Sequence, residues 1–309
     1  MLKLSRKSFL KVSYLLKNDA RDIERCLYEN YFENGRSENV VDALKKFQNT
    51  DGGFGKALES DFRLPNSSPM ATSIGIRILT EIEETKETRN IIKSALKYLE
   101  FTFNKERNGW YALTKEVNNY PHTPWWHYDE EKGFTIIDNN WGNPSAELLA
   151  YLYKYKEYLN KIEISYLIDY AIHYIENKRH FESENELFCY IKLYEVLPEE
   201  LKSKLKKRIS DGISEVIEYD RDKWGGYVPI PLDFVPSPEK ESFGVKSYKI
   251  DENLDYYVHL IDICEGKLIN PPWGDSFYHG SLSPAYNEWK GVLTLKILKR
   301  LDSYNRIEK

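Results

Sequence analysis

A chain of 309 residues with a net charge of −5, its acids and bases spread along the whole length, gives a nucleic-acid partner no electrostatic support. Its three cysteines, Cys26, Cys189 and Cys264, are odd in number, far apart and in no C-x-x-C pair, which suits a reducing cytosol better than a disulfide framework. A cytoplasmic protein is expected.

Near the N-terminus, Leu2, Leu4, Phe9, Leu10, Val12, Leu15 and Leu16 alternate with Lys3, Arg6, Lys7, Lys11 and Lys17. The lysines interrupt any apolar core, so the stretch is neither a signal peptide nor a spanning helix. A basic amphipathic helix is able to lie on an anionic membrane surface, but an outer helix with a solvated basic face is the simpler reading and is preferred.

Apolar periodicity places helices near residues 4–17, 20–33, 38–48, 70–83, 87–102, 144–157, 162–178, 183–195, 198–218, 251–265 and 285–302. No strand-like alternation competes. In the stretch from Ala43 to Ile74, a helix ends at Asn49-Thr50-Asp51-Gly52-Gly53, Phe54 follows, and Ser67-Ser68-Pro69 starts the next helix. Phe54 is expected to pack back against the helix it has just left. The unit returns at Asn108-Gly109-Trp110 and at Trp224-Gly225-Gly226-Tyr227. A glycine turn bearing a large ring, recurring between helices, marks a helical repeat array.

The motif F-Q-N-T-D-G-G-F-G resembles the Gln-and-aromatic turn of the terpenoid cyclase and protein prenyltransferase superfamily, whose helix pairs close into an α/α toroid. G-G-F-G-K-A-L-E-S-D-F-R-L-P-N-S-S-P-M-A-T, P-H-T-P-W-W and N-W-G-N-P-S-A-E-L-L together resemble small bacterial proteins described as squalene-cyclase-like or prenyltransferase-like. That group has no established reaction. The resemblance is specific between Ala43 and Leu152 and faint after Asn160. It implies an all-α protein: a single α/α-toroid domain over residues 1–309, of about five to six helix pairs. The long loops 49–69, 103–143 and 219–250 would then gather at one rim, where inner helices aim their N-termini. The prolines Pro231, Pro236 and Pro238 make the last of these loops stiff, either a lid or a wrapped segment.

Several residues at this rim carry chemistry. Glu59 and Asp61, followed by Arg63, are the catalytic candidates: two carboxylates beside a guanidinium serve as an acid and base pair or as a structural ion pair. The run Tyr120-Pro121-His122-Thr123-Pro124-Trp125-Trp126-His127 offers His122, Trp125 and Trp126 either as an aromatic platform over a cavity mouth or as a loop tacked down by its rings. Asn143 and the pair Trp273 and Asp275 sit in W-G-polar turns before helices, placed either to cap or to bind. Capping is favoured for Asn143, with Pro144 at the first helical position.

The prenyltransferase branch of the superfamily has a zinc site built from a D-x-C piece and a distant His, and Asp262, Cys264 and His279 resemble those pieces. Only seventeen positions separate Asp262 from His279, too few for successive inner helices. No cofactor and no metal site are therefore expected. The D-x-D-D acid of squalene-type cyclases, the D-D-x-x-D diphosphate signature, the P-loop, G-x-G-x-x-G, G-x-S-x-G and H-E-x-x-H are all missing from the sequence. Three functional readings stand. The favoured one is an aromatic- and carboxylate-lined central cavity for an elongated apolar, isoprenoid-like small molecule, with Tyr151, Phe188 and Tyr256 turned inward. The second is a carbohydrate-active hydrolase or lyase using the tryptophans as a sugar platform. The third is a non-catalytic module whose rim binds another protein.

Overall fold

A computed structural model of the chain describes residues 1–263 and 266–308. All eleven expected helices form: α1 (Arg6–Asp19), α2 (Asp22–Phe32), α3 (Ser37–Lys45), α4 (Pro69–Thr80), α5 (Lys86–Thr102), α6 (Gly142–Lys154), α7 (Ile164–Asn177), α8 (Glu184–Val196), α9 (Glu199–Val216), α11 (Ser247–Ile263) and α12 (Ser283–Ser303). The short α10 (Pro231–Phe234) lies inside the proline-rich segment and was not expected. Apart from isolated bridges, the strand pairing among the described residues is confined to β1 (Tyr128–Asp129) against β2 (Phe134–Thr135). The fold is all-α. None of its described helices is long and apolar enough to cross a membrane.

Local chemistry explains the boundaries. Ser68 accepts from the Ala71 N–H and Pro69 opens α4, as its missing donor allows. The helix α3 stops three residues short of its expected end, because Phe47 and Gln48 turn their N–H groups back to Leu44 and Lys45, and Gln48 then pairs with Phe54.

The chain forms two compact units, Leu44–Glu215 and Met1–Ala43 with Val216–Lys309. In Leu44–Glu215 the even-numbered helices pack in a row, α4 on α6 and α6 on α8, while α5 backs α4 and α7 backs α6. The helix α9 approaches α8 through Gly212, where an added Cβ would lie 2.6 Å from Phe181 and 2.8 Å from Leu187. The row starts at one end. The Met70 N–H at the head of α4 donates to Ala112 O at 3.1 Å, and the Trp110 N–H donates to Ser145 Oγ at the head of α6 at 3.0 Å. The Gly142 N–H of α6 in turn donates to Glu186 in the first turn of α8 at 3.1 Å.

Both ring-bearing corners of this unit are fully buried. The ring of Phe54 lies on α4, the helix that follows it: an added Cβ on Gly75 would meet that ring at 2.6 Å. Its N–H donates to Thr72 Oγ1 at 3.0 Å. Trp110 instead reaches back, its indole N–H donating to Leu99 O of α5 at 2.8 Å.

In the other unit α1 packs on α2 and α12, and α12 on α2 and α11. Arg306, 2% exposed, donates to Leu2 O, Asp255 and Asp251, which ties Leu4 beside Ile307. The third corner, Trp224, donates its indole N–H to Glu218 O at 2.9 Å and meets Tyr256 of α11 edge-on at 5.7 Å. Segment 219–250 is bonded to α11 and α12. Asp233 of α10 accepts from Lys296 and Arg300 of α12 at 3.0 Å each, Leu232 N–H donates to Asn253, and Tyr304 OH donates to Val235 O.

Candidate functional site

The loops 49–69 and 103–143 run side by side at the end where α4, α6 and α8 begin. Arg63 N–H donates to Pro121 O at 2.8 Å and Thr123 N–H donates to Asp61 O at 2.9 Å, which makes Phe62 and His122 a facing antiparallel pair. Alternation along an extended segment then puts Asp61 and Arg63 on one side of this ribbon, and Phe62 with His122 on the other.

Asp61 is 4% exposed and Glu59 8%. The Trp125 indole N–H donates to Asp61 Oδ2 at 3.0 Å, so a carboxylate and a half-buried ring from separate loops meet directly. Glu59 Oε1 accepts from the backbone N–H of Asp61 at 3.2 Å, which turns that carboxylate onto its own loop. The adjacent tryptophans divide their duties. Trp126 is buried edge-on against Phe62 at 5.2 Å and tacks the loop down, whereas Trp125 keeps part of its surface accessible. On the opposite side His122 donates through Nδ1 to Tyr120 O at 2.6 Å, and its Nε2 lies 3.1 Å from His127 Nδ1.

Deeper in the row lies a polar cluster that sequence reasoning missed. Arg77 of α4 grips Glu147 of α6 through two hydrogen bonds of 2.7 Å, and Tyr151 OH donates to the same carboxylate at 2.5 Å. Cys189 of α8 points its thiol at Asn143 Oδ1, 3.7 Å away, and at Glu147, 4.0 Å away. Burial drives the Glu147 carboxyl up, but the Arg77 charge, its hydrogen bonds and that of Tyr151 hold it below the ordinary carboxylate value. Burial beside that charge pushes the Tyr151 phenol and the Cys189 thiol well above their usual values. Burial therefore favours the Cys189 thiol over the thiolate. Glu147 and Tyr151 are buried, while the Arg77 side chain remains 39% exposed. The signal in the sequence was a single charge within each apolar helical run, I-G-I-R-I-L and P-S-A-E-L-L.

Asn143 departs from its expected role. It is extended, joined to Pro144 by a cis peptide bond, and stands at a kink in α6 just before the regular helix, but its side chain makes no capping hydrogen bond there. Asn143 donates its own N–H to Asn140 Oδ1 and turns its side chain to Cys189. Trp273 and Asp275 belong to the other unit. There Trp273 is half-buried between Tyr227 and Trp289, both edge-on, and donates to Tyr278 OH, while Asp275 is exposed. Of the rings expected to turn inward, Tyr151 joins the polar cluster, and Phe188 and Tyr256 are half-buried.

Of the zinc pieces, Cys264 lies outside the described residues. Among the described residues no group of three or more His, Cys, Asp or Glu side chains is arranged to hold a metal ion. Two surface clefts open in Leu44–Glu215. One of about 350 Å³ is lined by Arg107, Tyr111, Trp141, Tyr170 and Tyr174, and one of about 400 Å³ by Asn49, Asp51, Ser67, Thr114 and Glu116. Neither is lined by Glu59, Asp61 or Trp125. Comparison with protein-family models, with curated proteins and with solved structures finds no match to this chain.

Proposed function

We propose that the chain is an α/α-toroid protein of the terpenoid cyclase and prenyltransferase type that holds an elongated, largely apolar, isoprenoid-like small molecule. In this reading the molecule lies along the even-numbered helices with its entry beside Asp61, Arg63 and Trp125. The observation that carries it is the row itself: α4, α6 and α8 pack side by side and start at one end, where the Asp61 carboxylate meets the accessible Trp125 ring. Ring-bearing corners at Phe54 and Trp110, each bonded to a neighbouring helix, support the repeat on which the toroid rests. In this reading the Arg77–Glu147–Tyr151 cluster on the same helices would anchor the polar end of an amphipathic ligand.

Calorimetric titration of the purified chain with farnesol and, separately, with cellobiose tests the reading. Saturable farnesol binding is expected, weakened about tenfold in Trp125→Ala, which corresponds to about 1.4 kcal/mol. Binding of cellobiose alone would replace it with the carbohydrate reading, in which Trp125 is a sugar platform. Binding of neither would leave the loop face as a protein-interaction surface and overturn the proposal.

A further inference from the structure

The outward side of α1 carries charge and apolar surface that its own unit does not use. Its inward side, Val12, Ser13 and Leu16, is buried. On the opposite side Leu10 is 56% exposed and Tyr14, one turn further, 64% exposed. Arg6 and Lys7 lie one turn before Leu10 and about two before Tyr14, and Lys11 lies one turn beyond Lys7, all exposed. Lys3 leads into the same stripe. No acidic residue precedes Asp19, although the whole chain is acidic at −5. Lys3, Arg6 and Lys7 have no hydrogen bond or ion pair to any described residue, in contrast to Lys17, which pairs with Glu33 at 2.8 Å.

A face that only needs solvation has no use for two large apolar side chains at its centre. An apolar ridge flanked by exposed bases is instead the pattern of a helix lying in the headgroup region of an anionic bilayer. At 14 residues, α1 lies along such a surface rather than across it. We infer that this face of α1 docks the protein on an anionic lipid membrane, with Leu10 and Tyr14 inserted and Lys3, Arg6, Lys7 and Lys11 over the headgroups. The inference is independent of what the inner helices bind.

Flotation of the full chain with phosphatidylcholine vesicles, with and without phosphatidylglycerol, tests it. The protein is expected to float with the anionic vesicles at low salt and to be released at high salt, because screening removes the attraction. Each of Lys3→Gln and Lys7→Gln should weaken binding about fivefold. Leu10→Ser with Tyr14→Ser should weaken it while leaving the helical circular dichroism unchanged, since both side chains are exposed. Equal flotation with both vesicle types, flotation with neither, or full binding by the Lys3→Gln/Lys7→Gln variant would overturn the inference.

Discussion

Arg77 and Glu147, 70 residues apart in sequence, face each other across α4 and α6 with both guanidinium bonds at 2.7 Å. The pair cross-links two helices of the row, and its energetics are asymmetric. Glu147 is 5% exposed at its side chain, so Arg77→Ala strands a buried carboxylate. Water reaching the exposed part of Arg77 offsets some of that loss, and a cost of about 2–3 kcal/mol is expected, below the usual range for a fully buried pair. The double variant Arg77→Met with Glu147→Leu should cost less than Arg77→Ala alone. Urea unfolding of the variants measures both.

Glu147 also fixes a direction of pH dependence. Its folded pKa lies below its ordinary value, so the stabilisation is present above the unfolded value and is lost as pH falls through the depressed folded one. Asp233 follows the same rule. Burial would raise its carboxyl, but Lys296 and Arg300 hold it at about 2 against an ordinary 3.8. It should contribute about 2 kcal/mol above pH 4, lost on going from there to pH 2. In Asp233→Asn the acid limb of the stability profile should flatten over that window.

The two adjacent tryptophans should respond differently to the same change. Trp125→Phe removes the donor that serves Asp61 Oδ2 and should cost about 1.5–3 kcal/mol, as hydrogen bonds to charged groups do. The buried Trp126 indole N–H has no acceptor among the described residues, so Trp126→Phe loses ring area only and should cost about 1 kcal/mol or less. Thermal unfolding of the two single variants separates them.

Gly75 leaves room for the Phe54 ring. A methyl group there would lie 2.6 Å from ring carbons, so Gly75→Ala should destabilise by about 1–3 kcal/mol despite its better helix propensity. Chemical denaturation of Gly75→Ala against a neighbouring exposed substitution provides the comparison.

The helices were legible because apolar side chains recur with helical spacing, and Ser68-Pro69 marked the start of α4 locally. Pairing between distant residues was not. Neither Arg77 nor Glu147 announces its partner, and α10 is four residues inside a proline-rich run, too short for any periodicity. Asn143-Pro144 reads as a helix start because proline fits the first position, and regular helix does run on from Pro144, but the Asn143 side chain meets Cys189 instead of capping it. The Phe54 ring lies on α4, where Gly75 opens a slot that local sequence does not reveal. At the loop face, Glu59, Asp61 and Trp125 were identified as residues, while the separation of Trp125 from Trp126 required the ribbon between Phe62 and His122.

Diffraction from crystals grown with a bromine-tagged long-chain alcohol locates the ligand without assuming its identity. An anomalous bromine peak is expected along α4, α6 and α8 near Trp125. A peak over α5 or α7, or none at saturating ligand, would contradict this.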